Sequence, residues 1–113
     1  MPLVRQWDIV RLRIRPDGAE HPAVVISGEE WCTSDRTFKV NVLAGTKRVP
    51  GDPPRPYQVV LNSADGLEFQ TLVDCRFFHI IAKDGVKQIS GRVSPERRRA
   101  IGRKINEVLR LPL

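Results

Sequence analysis

Apolar and polar positions alternate along most of this chain, and the period changes only near its end. WDIVRLRI (residues 7–14) sends Val10, Leu12 and Ile14 one way and Arg11 and Arg13 the other, the period-2 signature of a strand with one wet face. RPDGAEH (15–21) reads as a turn, with Pro16 and Gly18 as breakers. PAVVIS (22–27) is a continuous apolar run and predicts a central strand. Pro22 fits there only as the first residue, because it has no N–H for the ladder. GEEWCTSDR (28–36) is polar and loop-like, and TFKVNVLA (37–44) alternates again, with Phe38, Val40, Val42 and Ala44 on one face. GTKRVPGDPPRP (45–56) has four prolines and two glycines in twelve residues and predicts a long loop, which in a small domain is usually functional or mobile.

YQVVL (57–61) predicts a strand, NSADG (62–66) a turn, and EFQTLVDCRFFHII (68–81) one bent strand or two with a break near Cys75. AKDGVKQ (82–88) holds a turn at Asp84 and Gly85. The period then lengthens. Ser94 as N-cap, Pro95 at N1 and Glu96 in the first turn are helix start signals. Ile101, Ile105, Val108 and Leu109 follow at helical spacing as one apolar stripe. About six short strands and a C-terminal helix predict a mainly β fold, a strongly bent sheet or small barrel closed at one end by the helix.

Composition adds bounds. At 113 residues the chain is one domain's worth, spanning 1–113. With 41% hydrophobic and 28% charged residues it can build a modest core, so a dimer would help. No apolar run approaches the roughly 20 residues of a membrane span, and the N-terminus lacks a signal peptide's apolar stretch, so the cytoplasm is the expected location. Cys32 and Cys75 are far apart and form no CxxC; they read as reduced, partly buried thiols, with no metal or cofactor. The formal charge of +6 suits RNA, DNA or an acidic protein partner, although solubility alone also accounts for a charge of this size.

The order WDIVRLRI, HPAVVIS, VNVLAGT, YQVVL, TLVDC and a terminal helix SPERRRAIGRKINEVLRL resembles the MazF/PemK family of toxins from bacterial toxin–antitoxin pairs, over roughly residues 6–111. The resemblance implies an SH3-like barrel, usually a homodimer. It implies a metal-independent endoribonuclease that cuts single-stranded RNA, mostly mRNA, at short sequences, and an antitoxin encoded beside it that blocks the active groove. Many members have an arginine before the proline of the second strand, where this chain has His21; some use a histidine earlier in the same loop. The family's Thr/Ser after the third strand matches Thr46, followed by Lys47 and Arg48, and its acidic residue matches Asp74. An arginine that some members carry two residues before the carboxylate is Leu72 here. A common Arg-Thr shortly after it is Phe77 and Phe78, which leaves Arg76 as the nearest guanidinium.

Metal-free RNA cleavage needs a base for the 2′-OH, an acid for the leaving 5′-oxygen and a donor or cation for the phosphorane. It gives a 2′,3′-cyclic phosphate and a 5′-OH. Asp74 and Arg76, two apart on a predicted strand, face the same way and form a base–stabiliser pair, or simply a structural ion pair, since the guanidinium weakens the base. His21 is acid or base, or a loop histidine that orders the strand start. Thr46, Lys47, Arg48 and Arg55 open and populate the long loop as phosphate contacts, or as solvated turn residues. Trp31, in a polar loop, is the aromatic expected to be exposed for base stacking. His79, in FFHII, reads as a satisfied buried histidine. The terminal helix carries six basic and two acidic residues, which could dock an acidic antitoxin tail but read first as its wet face. Two alternatives stand beside the ribonuclease. One is a CcdB-type gyrase poison on the same fold, against which the tail VLRLPL, without tryptophan, argues. The other is a catalytically inactive RNA-binding module.

Overall fold

The computed structural model describes residues 3–16 and 18–113, so the turn expected at 15–21 lies partly outside the described residues. Seven strands and two helices are present: β1 (Asp8–Leu12), β2 (His21–Val25), α1 (Glu29–Thr33), β3 (Lys39–Lys47), β4 (Gln58–Leu61), β5 (Thr71–Asp74), β6 (His79–Ala82), β7 (Gln88–Arg92) and α2 (Pro95–Leu109), with 3-10 turns at Ser63–Asp65 and Lys83–Gly85. The strands run β4-β5-β3-β2-β1-β7, every pair antiparallel, and β6 joins β3 off this path. This is the expected mainly β, curled half-barrel architecture of the SH3-like kind with a C-terminal helix. The expected break at Cys75 is there, between β5 and β6.

The nine-residue β3 is the hub. Val40 pairs with Ile81 of β6, Leu43 with Val24 of β2, and Gly45 with Val73 of β5. At Gly45 the neighbouring strands crowd in. A Cβ there would stand 2.8 Å from Thr71 Cγ2 and 3.1 Å from the Pro22 carbonyl oxygen.

Curling gives the sheet two cores instead of one wet and one dry face. Val10, Leu12, Ala23, Val25, Val40, Val42 and Ile81 pack on one side with Val4, Cys32 and Val86. Ile9, Val24, Leu43, Val59, Leu61 and Val73 pack on the other, against Ile101 of α2. The expected single wet face of β1 is therefore corrected: Ile9 is buried, and Asp8 is buried while bonded to Arg92 Nη1 at 3.0 Å. Phe38 lies outside β3 and is exposed, and Pro22 is the second residue of β2, not the first.

Two elements differ from the sequence expectation. The segment read as a loop at 28–36 contains α1, whose single turn has no local stability of its own. Tertiary contacts hold it: Glu29 Oε1 accepts the Gln6 N–H at 3.0 Å, and the buried Lys83 Nζ donates to the Trp31 and Ser34 carbonyls at 2.7 and 3.1 Å. Strand β7 (QISGR) has little alternation to read and pairs with β1 across a register shift at Ile9 and Val10.

Helix α2 starts at Pro95 as expected, but the Ser94 side chain does not cap it. The buried Asp65 carboxylate accepts the Ser94 N–H at 2.8 Å and the Asn62 N–H at 3.0 Å instead. Ile101 is fully buried, while Leu109, expected in the stripe, is exposed.

Asp65→Ala leaves two amide donors unpaired and is expected to cost about 2–3 kcal/mol, read as a lower urea midpoint at unchanged slope. Gly45→Ala forces a Cβ into the Thr71–Pro22 contact and is expected to destabilise by about 1–3 kcal/mol in the same measurement.

Candidate active site

The expected site residues fall on one sheet face only in part. His21 opens β2 opposite Leu12, so its side chain shares Leu12's face of the sheet. The register that pairs Ala23 with Ala44 carries it alongside Thr46. His21, Thr46 and His79 line one cavity of about 350 Å³ together with Ile14, Arg15 and Ala44. Thr46 pairs with Leu72, and Asp74, two residues further along β5, faces the same way.

His79 is a lining residue of this cavity that the sequence reading left out of the candidate site. It was expected to be buried and satisfied; it is half-buried and lines the cavity. The signal was in the parity of FFHII. Once Cys75 breaks the strand, His79 shares the inward face with Ile81, while Phe78 and Ile80 point out and are exposed.

Asp74 and Arg76 form an ion pair, though not side by side on one strand, because Arg76 lies beyond the end of β5. Its backbone N–H donates to Asp74 Oδ1 at 2.9 Å, Nε to Oδ1 at 3.2 Å and Nη2 to Oδ2 at 2.9 Å. The guanidinium also lies 3.6 Å from the Tyr57 ring centroid and 5.0 Å from that of Phe77. Burial pushes the Asp74 carboxyl up, but the Arg76 hydrogen bonds and charge, with a contribution from His79, outweigh it and leave Asp74 below the usual carboxylate range.

Thr46 and Lys47 end β3 instead of opening the loop, so they face opposite sides. Lys47 lines a different cavity, of about 450 Å³, with Arg11, Phe69 and Gln88, and its Nζ sits 3.9 Å above the Phe69 ring. Arg48 ties the long loop down: Nη1 donates to Gln70 Oε1 at 2.9 Å and Nε to the Asp52 carbonyl at 3.2 Å. Arg55 is exposed, with its N–H on Gln58 Oε1 at 2.7 Å. Trp31 is exposed as expected, but on α1, beside Asn41 and Ile80. Asn41 is five residues from Thr46 along β3, or roughly 16 Å at strand rise. Trp31 thus stands away from Thr46, beside Ile80, the residue that follows the cavity's His79.

Among the described residues, no three His, Cys, Asp or Glu side chains stand together as metal ligands. Cys32 and Cys75 are free and buried. Burial first, with the Asp74 charge second, pushes the Cys75 thiol up to about 11, and Cys32 is raised by burial as well. Both are in the protonated, unreactive form.

A depressed carboxyl contributes stability above its unfolded value and loses it as pH falls through the folded one. The Asp74–Arg76 pair therefore persists into acid below the ordinary carboxylate range. Arg76→Ala leaves Asp74's burial and removes the largest opposing effects. The Asp74 carboxyl is expected to titrate at higher pH in that variant, as followed by carboxyl carbon NMR.

The sequence matches no protein-family model and no curated protein. Solved structures do match it. A mycobacterial endoribonuclease bound to its cognate antitoxin superposes with a TM-score of 0.77 at 18% identity, over 100% of this chain and 99% of that one. Toxin MazF-mt6 of Mycobacterium tuberculosis matches at 0.73 and 18%, over 96% of this chain and 100% of that one. MazF in a MazE–MazF complex of Deinococcus radiodurans matches at 0.77 and 17%, over 98% and 100%. The strand order, the curled sheet and the terminal helix of this chain are the fold of the MazF toxins.

Proposed function

We propose that this chain is the toxin of a type II toxin–antitoxin pair, a one-domain cytoplasmic endoribonuclease. On this reading it cuts single-stranded RNA, chiefly mRNA, at short sequences without a metal ion. The carrying observation is the cavity that brings His21 and Thr46 together on the sheet face of Asp74. The end-to-end likeness to structures of endoribonuclease toxins supports it.

In this reading the 2′-OH attacks the neighbouring phosphorus. His21 transfers a proton, and the Thr46 hydroxyl donates to a phosphate oxygen. Arg76, held by Asp74, supplies positive charge toward the phosphorane. Arg48 and Arg55 on the 48–57 loop meet flanking phosphates, and Lys47 over Phe69 and Trp31 on α1 contact RNA further along its path.

The partner is an acidic antitoxin, in keeping with the +6 charge and with the antitoxin complexes of similar structures. The exposed Phe77, Phe78 and Ile80 side chains support a homodimer. No helix among the described residues is long and apolar enough to cross a membrane.

One observation favours a second reading, an inactive RNA-binding module: Arg76 already directs Nε and Nη2 to Asp74 and its face to Tyr57.

Incubation with a long unstructured RNA in EDTA separates the two. Discrete cuts with 5′-OH and 2′,3′-cyclic phosphate ends are expected. His21→Ala is expected to slow cutting about 10²-fold or more, and an all-deoxy strand of the same sequence stays intact for want of a 2′-OH. RNA bound but uncut selects the binding module. Full cleavage by both Asp74→Ala and His21→Ala sinks the residue assignment.

A further inference from the structure

The reaction needs two proton-transfer groups, and Asp74 is poorly suited to be one. Both of its oxygens accept hydrogen bonds from Arg76. A carboxylate held this way is stabilised in its charged form and is a weak base.

His79 is placed differently. It is the first residue of β6, in register with the buried Val42, and shares a face with Ile81 in the first core. Val42 is also paired with Val25 of β2, so β6 and β2 flank opposite edges of β3. His21 opens one flanking strand and His79 the other. Thr46 lies on β3 level with His21 and four residues beyond Val42, the partner of His79, and all three line the same cavity. Two imidazoles and a hydroxyl held on rigid strands around one cavity are the groups that in-line transfer at a phosphodiester uses. A cavity of about 350 Å³ admits that group with an adjoining ribose.

We propose that His79 is the second proton-transfer residue of the reaction, acting with His21 across the cavity; the inference rests on the ribonuclease reading. Neutral His21 takes the proton of the 2′-OH, and the O2′–P bond forms. The P–O5′ bond breaks as protonated His79 gives its proton to O5′. One proton is taken and one given, and exchange with water restores both rings. The charged and titratable groups that face His79 are Asp74, whose charge interacts with it, and Arg15 and His21 in the cavity wall. On that face β3 presents Val42, Ala44 and Thr46, none of them charged. His79, the imidazole whose charge interacts with Asp74, takes the part of the acid.

The test uses the full chain and an oligoribonucleotide that the wild type cuts. A second substrate carries sulfur in place of the leaving O5′, which departs without a proton. The wild-type rate is expected to rise and then fall with pH. His79→Ala is expected to cut the oxygen substrate about 10²–10⁴-fold more slowly, to lose the alkaline fall, and to cut the sulfur substrate at close to the wild-type rate. His21→Ala is expected to be slow on both. His79→Gln, which keeps the side chain's size, is expected to behave as His79→Ala does. Wild-type rate and pH profile in both His79 variants, or equal slowing on the two substrates, overturns the inference and leaves the ribonuclease reading standing. Failure of the wild type to cut RNA at all overturns that reading, and the inference with it.

Discussion

The whole sheet turns on the close pass at Gly45. In this one strand β3 carries β6 and β2 on its opposite edges at one end and β5 at the other. It can pass from one partner to the next only where its backbone comes against Pro22 and Thr71 with no Cβ in the way. That approach lets one sheet bend into two cores, so that residues one apart on β3, such as Val42 and Leu43, are buried in different ones. It also sets the divide between Thr46 and Lys47. The first is turned toward the histidines, and the second lies over Phe69 on the far side.

On the histidine side, the charge pattern is asymmetric. Asp74 and Arg76 satisfy one another, with Arg76 held against Tyr57, and neither lines the cavity of the histidines. His21 and His79 have no such fixed partner among the described hydrogen bonds and ion pairs. The imidazoles line the cavity, and the charge-paired carboxylate and guanidinium stand outside its lining. That division follows from strand ends: both histidines open strands and are held by a ladder, whereas Arg76 lies past the end of one and folds back on its neighbour.

Alternation made most of this readable beforehand. β1 and β3 were visible because apolar and polar positions alternate along them, β2 because it is a continuous apolar run, and α2 because Pro95 and the Ile101–Ile105 spacing mark it. The break at Cys75 was visible too. What the sequence hid depended on distant contacts. α1 exists because Lys83 and Glu29 hold it from elsewhere in the chain, and a five-residue window cannot show that. β7 is an edge strand whose Gly91 passes against the Asp65 backbone, so its logic is steric. Of the candidate site residues, His21 was singled out at the mouth of an apolar strand and Thr46 through the family resemblance, and the two line one cavity. His79 was misread because a run of Phe and Ile suggests burial on all sides, whereas an edge strand buries only every second residue.

The pairing of β1 with β7 has a consequence for how the protein is made. Asp8 and Arg92, joined at 3.0 Å, are 84 residues apart, and the clasp from Asp65 to Ser94 also waits on the last segment of the chain. Contacts of such long sequence separation make folding slow. On a ribosome, β1 can pair early with β2, but its other edge stays open until Arg92, 84 residues after Asp8, has emerged. Until then the nascent sheet remains unclosed, which gives any binding partner made alongside it a head start on the finished barrel.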